Sequence, residues 1–310
     1  FSEPVHLIPD TVVVLDPAGR RVDRDLPALR GSEVRANVDA SSTGTYVVEW
    51  RVISDDTHPA SGRLTFSVGS ASTPMHSEGA GLTALGLPLQ VLARWLHELG
   101  YALGFGSLAF WVLVLRPLVL DDADAERRLW RLATVGVVLL VVAEPVALSG
   151  QVTSLGSGGF PGLDVTVAVA SMSSSFGRVL AQRLAAALLL WVFLGVLQTG
   201  AARAVWAALA LGAALALVDG EASHAVSTHP AVLGLALNAV HVAASGVWVG
   251  GLLSLLWIWR MSDLRVRRVA LVARFGRVAD WSTVGIGLSG VAMAALHLST
   301  VADLVETGYG

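Results

Sequence analysis

The sequence predicts a partial β-sandwich followed by an all-α, polytopic membrane domain. Two observations carry that prediction. The first 70 residues alternate apolar and polar side chains between turn signals, and the remainder holds six long apolar segments. Alternation with period two marks a strand with one buried face, whereas an apolar run of about 20 residues can cross a bilayer as a helix.

In residues 45–53, Tyr46, Val48, Trp50 and Val52 share one face, with Glu49 and Arg51 on the other. Leu64, Phe66 and Val68 repeat the pattern, with Arg63, Thr65 and Ser67 outward. Pro9-Asp10, Pro17-Ala18-Gly19 and Gly31-Ser32 punctuate as turns. Several short strands joined in this way suggest a sandwich. The chain opens on Phe1 in what reads as mid-strand, without a signal-peptide pattern, so further strands are expected upstream. A Gly/Ser/Thr-rich stretch then reads as a linker. The expected divisions are 1–70 for the β domain, 71–84 for the linker and 85–310 for the membrane domain.

The apolar segments lie at about 86–115, 129–149, 178–198, 203–219, 231–258 and 282–300. Arginine placement orients them. With the β domain outside the cell, Arg116, Arg127, Arg128, Arg131 and Arg203 fall in inner loops. So do Arg260, Arg265, Arg267, Arg268, Arg274 and Arg277, leaving only Arg94, Arg178 and Arg183 near outer ends. This is the positive-inside pattern.

Residues 231–258 organise the membrane part. They carry no formal charge, and as a helix they span roughly 42 Å, enough for a ~30 Å hydrocarbon core. Asn238, His241, Ser245 and Trp248 share one helical face. His97 is followed at nine and eleven residues by Gly106 and Leu108, and His241 at the same offsets by Gly250 and Leu252. If the fifth segment repeats the first, a parallel repeat of four plus four helices is implied, with two helices expected beyond Gly310.

Composition excludes several classes. The chain is 54% hydrophobic and 15% charged, too apolar for an ordinary soluble domain. Its net charge of −3 leaves no nucleic-acid footprint, and it has no cysteine for a disulfide or thiolate site. All 21 basic residues are arginine, so no Walker A lysine is available for a P-loop ATPase.

Asp56 and His58 form an Asp-x-His pair after a strand; a carboxylate and an imidazole so spaced suit a borderline metal such as Cu(II), or simply make a polar turn before Pro59. His97 and His241 each lie roughly 15 Å inside the outer end of a helix. An imidazole at that depth is a functional group by default, or hydrogen-bonds a neighbouring helix. Glu98 and Glu144, the latter before Pro145, are further intramembrane candidates as ligands, proton carriers or paired charges. Met293 and His297, at i and i+4, offer a thioether and an imidazole that suit Cu(I), with plain packing as the bland role of Met293. His224 and His229 flank outer helix ends and either gather metal at the mouth or are solvated. His6 and His76 read as surface residues.

Phe1-Ser-Glu-Pro-Val5, Tyr46-Val-Val-Glu-Trp50-Arg-Val-Ile and Asp56-Thr-His58-Pro-Ala-Ser-Gly-Arg-Leu-Thr-Phe66 resemble the bacterial copper-binding CopC domain. Trp95-Leu-His97, Ser223-His224-Ala, Trp248-Val-Gly-Gly and Arg274-Phe-Gly-Arg277 resemble the CopD membrane domain, in the order of CopC–CopD copper resistance and transport fusions. The resemblance implies an Ig-like β-sandwich, copper as the bound metal, and Asp56 and His58 as Cu(II) ligands. It also implies an amino-terminal histidine ligand, upstream of Phe1, and a glycine where Thr57 stands.

The resulting reading is a copper transport protein of the bacterial plasma membrane, not an enzyme. The β domain captures copper outside the cell, from a periplasmic or extracellular chaperone, and hands it to an intramembrane site. His97 and His241 are expected to face one another there, near His224, Met293 and His297, with Glu144 as the carboxylate neighbour of His97. The alternatives are a b-type haem electron-transfer protein, using the same two histidines as axial ligands, and a copper sensor or scaffold without transport.

Overall fold

The computed structural model describes residues 1, 4–74, 85–118, 123–156, 164–222, 230–259 and 267–297. The expected linker falls largely outside these residues. The chain forms two compact units, Phe1–Leu92 with Pro145–Arg178, and Ala93–Glu144 with Val179–Gly310.

In the first unit, five strands make two antiparallel sheets. One has the order β1 (Val5–Leu15), β4 (Gly44–Ser54), β5 (Pro59–Val68); the other is the hairpin β2 (Asp23–Arg30) and β3 (Glu33–Val38). The alternation seen in the sequence sets the register, with Tyr46 opposite Phe66, Val48 opposite Leu64 and Trp50 opposite Gly62. The Tyr46 and Phe66 rings stack at 5.0 Å. Val12, Val14 and Tyr46 are buried, packed against Val34, Ala36, Val38 and Phe66. Gly62 is required by its partner, because a Cβ there would lie 2.4 Å from the Trp50 ring.

The outward face of β4 departs from expectation. Ile53 is fully buried and, with Ile8, packs against Val152, Leu155 and Val167. These belong to helices α2 (Ala123–Leu155) and α3 (Val165–Met172). Arg51, expected on a solvated face, donates to the Leu155 carbonyl at 3.0 Å. A guanidinium at a helix C-terminus satisfies a carbonyl that has no intrahelical partner. Glu49 instead pairs with its cross-strand neighbour Arg63 at 3.0 Å. The start of α1 (Gly86–Phe110) meets α2 closely: Gln90 donates to Ser154 Oγ at 2.9 Å, and a Cβ on Gly86 would lie 2.8 Å from the Ser154 backbone. Asp164 caps α3 by accepting from the Thr166 and Val167 amides at 3.1 Å each.

The second unit contains most of α1 and α2, together with α4 (Ser175–Gln198), α5 (Ala204–Glu221), α6 (Ala231–Ile258) and α7 (Arg268–His297). Among the described residues, six helices, all but α3, are long and apolar enough to span a membrane. Glycines set the close crossings. A Cβ on Gly136 of α2 would lie 2.3 Å from the Gly104 amide of α1, and one on Gly106 would lie 2.3 Å from the Gly246 carbonyl of α6. Small residues at helix crossings bring backbones together where lipid supplies no hydrophobic drive. Tyr101, Phe105, Leu108 and Phe110 of α1 fill the core between these crossings.

Two boundaries differ from the sequence reading. After Phe110 the helix widens into a π turn, Trp111–Leu115, and then tightens into a 3-10 turn, Arg116–Leu118. The last helix begins at Arg268, so Arg268, Arg274 and Arg277 lie on helix rather than loop. Arg274 donates to the Leu113 carbonyl at 2.6 Å and Arg267 to that of Leu118 at 2.7 Å, serving carbonyls at the irregular end of α1.

Candidate metal centres

Asp56 and His58 lie in the turn between β4 and β5. Ser54 N donates to the His58 carbonyl at 2.9 Å and Thr57 N to the Ser54 carbonyl at 3.0 Å, closing the turn. Thr57 is held at φ +78°, a left-handed conformation that glycine adopts freely and a β-branched residue does not. The buried Asp56 accepts from Ser54 Oγ, from the His58 amide at 3.3 Å, and from His58 Nδ1 at 3.1 Å. Burial on its own would raise the Asp56 carboxyl. The hydrogen bonds from His58 and Ser54, with the His58 charge, outweigh it and hold the group well below the usual carboxylate range. His58 is exposed, and its Nδ1 faces the Asp56 carboxylate. A carboxylate behind an imidazole is the usual support for a metal-binding histidine. The turn is seated on helices of its own unit: Gln151 donates to the Thr57 carbonyl and Ser175 to that of Ser54, each at 3.4 Å. His6, expected as a plain surface residue, lies 3.8 Å from Asp55 beside this turn.

Thr57→Gly is expected to stabilise the β domain by about 1 kcal/mol, relieved strain outweighing the added freedom of the unfolded chain. A higher melting temperature for the β-domain transition in the full chain would show it; a lower one would mean that Thr57 is not strained.

In the helical unit, His97 of α1 is buried between two carboxylates. Its Nδ1 lies 3.1 Å from Glu144 of α2 and its Nε2 3.0 Å from Asp219 of α5, which accepts from Arg183 of α4 at 2.8 Å. Glu144 is thus the neighbour the sequence suggested, while Glu98 is exposed on α1. Arg183, read from sequence as an outer-end residue, and Asp219, two residues from the end of α5, complete the buried chain. A carboxylate closing an otherwise apolar segment was the available signal.

His241 does not join this group. Its Nδ1 meets Ser289 Oγ of α7 at 3.1 Å, so the two rings take different neighbours rather than sharing one metal. These contacts do not bring the two expected partners together, and both nitrogens of His97 meet carboxylates. Met293 is half-buried on α7, four residues beyond Ser289. His224, His229 and the side chain of His297 lie outside the described residues. Among the described residues, no group of three or more His, Asp or Glu side chains is arranged to hold a metal ion.

A two-sheet β domain joined to six candidate spans defines a multi-pass membrane protein with an appended β module. Residues 1–69 match the family model of the CopC domain, and residues 83–235 match that of the copper resistance protein D-like N-terminal domain. The chain thus joins a CopC domain to a copper resistance protein D-like N-terminal domain, the arrangement of a CopC–CopD fusion. It is 23% identical to the copper transport protein CutJ of Bacillus subtilis (strain 168) over 337 aligned positions, covering 100% of this chain and 59% of that protein. A stretch of 27 residues, 9% of this chain, is 63% identical to copper resistance protein C of Xanthomonas campestris pv. juglandis, 21% of whose length it covers. The chain therefore spans well under two thirds of either relative. No solved structure gives a significant match.

Proposed function

We propose that this protein binds copper on the outer side of the bacterial plasma membrane and moves it across. The β domain holds Cu(II) at His58 and Asp56 and passes it to a histidine site within the helices. The observation that carries this reading is the Asp56–His58 turn. An exposed imidazole is backed by a buried carboxylate, and the turn rests on Gln151 and Ser175 at the ends of helices that read as membrane spans. Positive-inside placement of the arginines supports putting that turn outside the cell. Imidazole and carboxylate suit Cu(II) in an oxidising exterior, and thioether suits Cu(I) further in.

Asp56→Asn is expected to weaken Cu(II) binding by roughly 10–100-fold, because the amide orients His58 poorly, and His58→Ala by more. Titration of the full chain in lipid nanodiscs reads the affinity, and copper uptake by vesicles reads transport. Unchanged affinity in His58→Ala would place the outer site elsewhere. Normal binding with no flux would favour the sensor or scaffold reading.

A further inference from the structure

The sequence makes His97 and His241 look equivalent, at matching depth on helices that share a spacing of small residues. Their hydrogen bonds make them different. We infer that His241, and not His97, is the histidine the membrane domain offers to copper, and that Ser289 is the residue that positions it. The inference rests on the copper reading above and assigns its inner ligand.

A single hydrogen, that of the Ser289 hydroxyl, sets the tautomer of His241. Ser289 Oγ lies 2.6 Å from the Gly285 carbonyl, one turn back on α7, and 3.2 Å from that of Ile286. A carbonyl can only accept, so the hydroxyl hydrogen is committed to the helix backbone. Toward His241 the same oxygen can therefore only accept. The 3.1 Å contact then requires the hydrogen to sit on His241 Nδ1. In the neutral ring this leaves the lone pair on Nε2, and among the described residues Nε2 has no hydrogen-bond partner. A metal-binding imidazole is usually fixed in this way, one nitrogen held by a neighbour and the other free to ligate.

The ring is also fixed in place by packing. A Cβ on Gly290 would lie 3.6 Å from its Cε1, so α7 lies against the ring. Met293 stands one turn beyond Ser289 on the same face of α7. His97 has the opposite arrangement. Both of its nitrogens meet carboxylates, it is buried, and it ties α1 to α2 and α5. Releasing Nδ1 to a metal would take from the buried Glu144 its imidazole partner, and releasing Nε2 would break the tie to Asp219, both of them costly.

Diethyl pyrocarbonate tests the assignment directly, because it acylates an imidazole nitrogen through its lone pair. With the full chain in nanodiscs and labelling read by mass spectrometry, His241 is expected to react at least about ten-fold faster than His97, and bound Ag(I), as a Cu(I) analogue, to slow it by a similar factor. Ser289→Ala should lose most of that metal protection, and Ser289→Thr, which keeps the hydroxyl, should restore it. Equal labelling of the two histidines, or no labelling of His241, overturns the inference. So does unprotected His241 in a chain that still takes up copper. If the chain takes up no copper at all, the transport reading fails instead, and the labelling contrast still reports the difference between the two rings.

Discussion

Asp219→Ala is expected to be among the most damaging substitutions in the helical unit, at about 3–5 kcal/mol. Asp219 accepts from Arg183 at 2.8 Å and lies 3.0 Å from His97 Nε2, while Glu144 lies 3.1 Å from the other ring nitrogen. The chain of contacts links α1, α2, α4 and α5. Alanine would leave a guanidinium and an imidazole buried without their shared acceptor, and the lost desolvation of those groups is not returned by the methyl that replaces the carboxylate. Asp219→Asn should cost less, because its amide oxygen still accepts one of the two bonds, and Glu144→Gln less again. The measurement is the temperature at which the detergent-solubilised full chain loses monodispersity. If Asp219→Ala melts with the parent, the buried chain is not a structural tie.

Gly250→Val is expected to prevent assembly of the helices altogether. A Cβ at Gly250 would lie 1.8 Å from the Ala102 carbonyl and 2.8 Å from Gly106 Cα. Both obstacles are backbone, so no rotamer change relieves the clash, and α1 and α6 must separate along their crossing. Separation forfeits dispersion contacts over several turns, with no hydrophobic compensation in lipid. Gly195 of α4 provides the control, since a Cβ there meets nothing within 4 Å, and Gly195→Ala should be neutral or mildly stabilising. Comparable yields of monodisperse protein from Gly250→Val and Gly195→Ala would show that the crossing does not lie at Gly250.

Much of this architecture could be read in the amino-acid order. Strand β4 announced itself by alternation, and the long apolar runs announced six helices, because both signals depend on local periodicity alone. Signals that depend on a distant partner were lost. Arg51 looked solvated because nothing local says that a helix end waits for it. Helix α7 was expected to begin near 282 because Arg268, Arg274, Arg277 and Asp280 make its first turns polar, yet two of those arginines reach a backbone carbonyl elsewhere in the unit. At the candidate sites, the Asp56–His58 pair is adjacent in sequence and was visible. The His97–Glu144 contact was reachable by the need of a buried imidazole for a carboxylate. The roles of Asp219 and Ser289 were not, since one reads as a helix end and the other as an ordinary small polar residue. The matched spacings around His97 and His241 suggested a common site, but spacing along a helix says nothing about which neighbour each ring will find.

The packing of Ile8 and Ile53 against Val152, Leu155 and Val167, with Arg51 on the Leu155 carbonyl, bears on how a metal-carrying module behaves. A module on a free tether visits its target at an effective concentration set by tether length. Here Ile8, Ile53 and Arg51 hold the strands to α2 and α3, and because closure entropy grows slowly with length, doubling the connection would cost about 0.6 kcal/mol. Natural variants can lengthen that connection at little expense, whereas a charge introduced at Ile53 would turn a seated module into a roaming one. Under the copper reading proposed above, an ion held at His58 would stay beside the same two helix ends, those that carry Gln151 and Ser175.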